Sequence, residues 1–165
     1  MKRIGLNLLG IALLAQAHAS LPAPGRDGVL RTGASLSSLL EPRTSGSLYG
    51  RCLRENAGTR LFSSFCREFV EQLQRKIHLM VIETDIRIQA ERLAASPVTT
   101  EPKTRLELLT RLNSAALKAE EAIRVLKTGP SDLNFKDHLP EILPESKKVR
   151  DIFEAYAKLF PDGRS

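Results

Sequence analysis

A chain of 165 residues carrying 27% charged side chains is long enough for one domain with its own core. Its net charge of +6 falls to +4 once Lys2 and Arg3 are set aside, and segments 20–50, 51–95, 96–130 and 131–165 then carry +1, +2, +2 and −1. Nucleic-acid binders gather positive charge on one face or stripe, so this even spread argues against a specific nucleic-acid partner.

The chain opens with the pattern of an export signal. Lys2 and Arg3 precede an apolar run from Ile4 to Ala15, and Ala17-His18-Ala19 offers the small-x-small site of a signal peptidase. Residues 1–19 are therefore expected to be a cleavable signal peptide, with the cut before Ser20. The run is about 12 residues, against roughly 20 for a bilayer span, so no membrane span is expected after processing. No cysteine follows the cut to carry a lipid anchor. The expected location is periplasmic or secreted. In such an oxidising compartment, Cys52 and Cys66 are expected to pair as a disulfide. Closing a loop of that size is worth about 3 kcal/mol. The Cys-x-x-Cys spacing of a redox-active pair is absent.

Residues 20–47 are rich in Pro, Gly, Ser and Thr, with few large apolar groups to offset ordering entropy. They read as a flexible leader, in which Leu36, Leu39 and Leu40 form at most one docked helical turn. A single helical domain is expected over 48–165.

A long helix is expected from Thr59 or Arg60 to about Ala95, with no Pro or Gly inside it. Phe62, Cys66, Phe69, Leu73, Ile77, Met80 and Thr84 recur at steps of three and four, on one face. A second apolar line, Leu79, Ile82, Ile86, Ala90 and Leu93, implies a helix covered from two sides at its middle. Ser96-Pro97 stops it. The next helix starts near Thr100 and Pro102 and ends at Gly129-Pro130. Its stripe of Leu108, Leu112, Ala115, Ala119, Ala122 and Leu126 has the alternating spacing of a helix–helix seam. The short link makes these two helices an antiparallel hairpin. Residues 131–145 read as an irregular connector with apolar plugs. A third helix is expected from Ser146, with Val149, Ile152, Phe153, Tyr156 and Phe160 inward. The fold class is thus all-α: a long antiparallel hairpin capped by a shorter C-terminal helix, as a small bundle behind a flexible leader.

Chemistry is sparse. His78 stands in a heptad-spaced line with Glu71, Asp85 and Arg92, two turns or about 10.5 Å apart, too far for adjacent metal ligands. That line reads as a solvated polar stripe. Zinc hooks, haem attachment, phosphate loops and nucleophile elbows have no match. No catalytic residue, cofactor or metal is expected. Glu120-Glu121 reads as surface, and Arg67, Arg75 and Lys76 as part of a solvated face. Lys147, Lys148 and Arg150 stand out as a possible anion contact, because lysines opening a helix oppose its dipole.

The leading functional expectation is an exported, non-enzymatic protein-interaction module: an inhibitor, immunity, chaperone-like or assembly factor. Its interaction face would be Leu79, Ile82, Ile86 and Leu93, its partner another envelope or extracellular protein, and its oligomeric state is open. One alternative is a small helical enzyme with a scattered Arg/Glu site; another is a binder of anionic surfaces.

Overall fold

The computed structural model describes residues 28–42, 47–56, 64–94, 101–128 and 135–161, and the expected signal peptide, its cut and residues 20–27 lie outside them. The Ser96-Pro97 and Gly129-Pro130 stops also fall outside the described residues. Five helices and no strands make up the described chain: α1 (Gly28–Leu40), α2 (Leu48–Asn56), α3 (Ser64–Ala94), α4 (Glu101–Thr128) and α5 (Phe135–Leu159). The fold is an all-α bundle.

The expected hairpin of long helices is formed by α3 and α4. His78 meets Glu120, Thr84 meets Asn113 and Glu91 meets Arg105, so residue numbers rise on one helix as they fall on the other. The inward face of α3 is the expected one, with Cys66, Phe69, Leu73, Ile77, Met80 and Thr84 all buried, continued by Ile88 and Glu91. On α4 the buried stripe keeps Leu112, Ala115 and Ala119 of the expected seam but is widened to one side by Arg105, Leu109, Ala116 and Ile123, while Leu108 and Ala122 are only half-buried. The cause is a second neighbour. α4 packs on α5 as well as α3, so its inward direction lies between the two.

The sequence reading of the leader is corrected over residues 28–40, which form a docked helix of 13 residues. α1 packs on both α3 and α5, so the bundle has four helices around one core. Lys76 of α3 donates to Ser35 of α1, and Glu83 lies against Gly28, which sets that pair antiparallel. Leu36 and Leu40 are fully buried. Burying each contributes about 1.5–3 kcal/mol, and this offsets the ordering entropy that composition alone suggested would prevail. Gly33 is required by proximity: a Cβ there would lie 2.1 Å from the Phe153 ring of α5.

α2 begins at Ser47, whose hydroxyl accepts from the Gly50 amide at 3.1 Å, a standard N-cap. It is fastened to α3 by the Cys52–Cys66 disulfide, with Cα atoms 4.6 Å apart, and by Tyr49 stacked on Phe69 at 5.0 Å.

The expected connector at 131–145 and helix start at Ser146 are also corrected. α5 already runs from Phe135, through Pro140 and Pro144. Proline has a helix-compatible φ but removes an amide donor. Both prolines are exposed, on one side of α5, where water can serve the carbonyls they leave unbonded. Leu139 and Ile142 are buried on the other side. Ser146 is no cap. Its buried hydroxyl donates to the Ile142 carbonyl at 2.8 Å, within the helix.

Candidate functional site

On α3 the core requires only one face. Leu79, Ile82, Ile86 and Leu93 lie on the opposite face and are 48%, 41%, 41% and 90% exposed. The expectation that the middle of this helix is covered from two sides is therefore corrected, since neither α1, α4 nor α5 reaches that line. Leu117 of α4, 49% exposed, lies one turn beyond Asn113 and just before Glu120, both of which reach α3. It is a separate exposed apolar side chain on the neighbouring helix, on the far side of the polar line of α3.

The α3 strip is bordered by the polar line that sequence spacing picked out. Glu71, His78, Asp85 and Arg92 run along the α4 side of α3, all exposed. His78 Nδ1 lies 2.6 Å from a Glu120 carboxylate oxygen, a link across the hairpin at its surface. Asp85 accepts from Gln89 one turn on, at 2.9 Å. Glu120 and Glu121 diverge as expected, Glu121 instead pairing with Arg124 at 2.6 Å. That hydrogen bond holds the Glu121 carboxyl below its ordinary pKa. Among the described residues, no group of three His, Cys, Asp or Glu side chains is placed to hold a metal ion.

Lys147, Lys148 and Arg150 do not open a helix, so the dipole argument for an anion there is corrected: with α5 starting at Phe135 they sit in mid-helix. Arg150 is engaged by Asp151 at 2.9 Å and Glu154 at 3.6 Å. Lys147 and Arg150 line an open groove of about 420 Å³ with Leu40, Glu41, Pro42 and Tyr49. Glu41 brings negative charge to the same groove. A second groove, of about 350 Å³, lies between α1, α2 and α3 and includes Ser35, Ser38 and Lys76.

Sequence reasoning missed a buried charged group at the far end of the hairpin. Glu91 accepts from Arg87 at 2.7 Å and from Arg105 at 3.4 Å, and all three side chains are at most 16% exposed. The Arg105 guanidinium lies 4.5 Å over the Phe160 ring. Tyr156 stands close by, and burial pushes its phenol above the ordinary value, opposed by the nearby Arg87 and Arg105 charges. The signal was faint: Glu91 continues the buried stripe by a step of three after Ile88, and charged residues on an apolar face need partners. The carboxylate thus links α3 to α4 through Arg105, whose guanidinium also covers the Phe160 ring just beyond α5.

A second interhelical fastening lies nearer the middle. Buried Thr84 donates to the Met80 carbonyl at 2.6 Å and accepts from Asn113 Nδ2 at 2.9 Å, while Asn113 also donates to the Val81 carbonyl at 3.1 Å. No helix among the described residues is long and apolar enough to cross a membrane. Comparison with protein-family models, with curated proteins and with solved structures finds no match for this chain.

Proposed function

We propose that this protein is an exported, non-enzymatic interaction module whose docking surface is the outer face of α3. One observation carries the reading. The bundle completes its core without Leu79, Ile82, Ile86 and Leu93, yet those residues stand in line on a long helix and remain exposed. Apolar side chains scattered singly on a surface are ordinary, whereas an aligned set marks a contact site. A helix that presents anchors at steps of three and four is a recurrent mode of recognition between proteins. Export is supported by the N-terminal pattern and is compatible with the Cys52–Cys66 bridge.

The competing classes have less behind them. A catalytic reading would draw on Arg87, Glu91, Arg105 and Tyr156, but the charges there engage one another and Phe160 covers Arg105. An anionic-surface reading would draw on Lys147, Lys148 and Arg150, yet two acids engage Arg150 and Glu41 shares its groove.

The test compares the native protein with an Ile82→Asp/Ile86→Asp variant, each immobilised and challenged with its own purified chain and with the exported proteins of its source. The native form retains a stoichiometric partner and the variant does not. Equal retention by both, or none by either, would overturn the reading.

A further inference from the structure

The outer face of α3 carries enough pattern to name its occupant, on the reading of that face as a docking surface. We infer that the occupant is a second copy of this chain, with the two α3 helices antiparallel about a two-fold axis level with Met80 and Val81. Along the exposed face, Glu68, Gln72, Arg75, Leu79, Ile82, Ile86, Gln89 and Leu93 follow alternating steps of four and three. That is the seam spacing of two paired helices.

The charges select the direction. A parallel in-register pair sets Arg75 on Arg75 and Glu68 on Glu68 within the seam, and like charges there are destabilising. An antiparallel pair with Leu79 opposite Ile82 avoids both. It lays the Arg75 stem across Ile86 and sets Gln72 opposite Gln89, with Leu93 and Glu68 at the ends.

The bordering lines then select the register. In this arrangement Glu71 meets Arg92 of the second copy, and His78 meets its Asp85, along the α4 side. Symmetry makes each of these pairs twice. A shift of one heptad in one direction brings Asp85 onto Asp85, and in the other Glu71 onto Asp85. Only the unshifted register keeps like charges apart throughout. His78 suits this role, because Nδ1 faces Glu120 and leaves Nε2 for the second copy. Leu117 lies between Asn113, which bonds to Val81 and Thr84, and Glu120, which meets His78. It is therefore level with the axis, on the α4 side of the paired helices.

The size of the contact places it among weak pairs. Thirty-one residues make α3 about 45 Å long, and a strip roughly 10–12 Å wide buries about 1,000 Å² over both copies. That is the lower edge of specific interfaces, so a dissociation constant on the order of 10 µM is expected.

Sedimentation velocity on the purified protein, from about 2 to 200 µM, tests the proposal. The weight-average mass should rise about one and a half times across that range, from near the monomer toward the dimer. Glu71→Arg and Arg92→Glu should each weaken the dimer about tenfold, because each reversal spoils two symmetry-related pairs. The Glu71→Arg/Arg92→Glu double variant should return to within about threefold of native. A monomer at all concentrations, or a double variant no tighter than the singles, would overturn this pairing. If the chain is monomeric while the native protein still captures a different partner that Ile82→Asp/Ile86→Asp abolishes, self-pairing falls and the interaction reading stands. Loss of both removes both.

Discussion

Gly33→Ala separates a docked α1 from a mobile leader by the sign of its effect. At an exposed position inside a helix, replacing glycine by alanine stabilises by about 1 kcal/mol, because alanine is the better helix former. At Gly33 the new methyl would sit 2.1 Å from two ring carbons of Phe153, a side chain only 5% exposed. Ordinary carbon–carbon contact needs about 3.5–4.0 Å, so the ring or the helix must move by about 1.5 Å within a packed interior. Overpacking of this kind costs about 1–3 kcal/mol. The net expectation is a loss of up to about 2 kcal/mol in place of the gain, measured by urea unfolding followed at 222 nm. Phe153→Leu makes room, so the same Gly33→Ala change should cost less, or even stabilise, in that background. The double-mutant cycle therefore reports the contact directly. A gain of about 1 kcal/mol from Gly33→Ala in the native background would refute the docking of α1 and restore the leader that composition suggests.

Other outcomes follow from the same packing. Replacing Cys52 and Cys66 by serine should cost about 3 kcal/mol, and thermal unfolding insensitive to reductant would contradict the bridge. Asn113→Ala removes two bonds between α4 and α3 and should cost about 1–2 kcal/mol, whereas a change below 0.5 kcal/mol (roughly the surface value) would place the side chain in solvent. The chain has two tyrosines, and burial raises the pKa of both Tyr49 and Tyr156 above the ordinary 10.0. The folded state therefore holds protons that the unfolded state has released, and stability is full below 10.0 and lost as pH climbs through the folded values. A spectrophotometric titration with a phenol ionising at its ordinary value in folded protein would contradict that burial.

Much of the fold was legible because it rests on local periodicity. The stripe from Cys66 to Thr84 repeats at helical spacing, and nothing tertiary had to be known to choose its inward side. The errors share one physical cause, since each needed knowledge of a distant neighbour. α1 looks too polar to order itself until Leu36 and Leu40 are given α3 and α5 to pack against. The α4 stripe widens because a helix between two neighbours turns its core toward both. Pro140 and Pro144 suggest a break, but they fall on the wet side of a helix whose other side is held by Leu139 and Ile142. The candidate docking line was legible as a second apolar stripe, yet its exposure was not, because spacing alone does not say how many helices surround a given one. The Arg87–Glu91–Arg105 group was illegible for a related reason: its members lie on two helices and converge only when the hairpin closes.

The claim beneath the functional reading is that the α3 outer strip contributes nothing to the interior of its own chain. Its most direct test is the unfolding free energy of Ile82→Asp/Ile86→Asp protein, measured dilute enough to keep native and variant monomeric. The two should agree to within about 1 kcal/mol, as surface substitutions do. A loss of about 4 kcal/mol or more, the signature of charge forced into a core, would contradict the account.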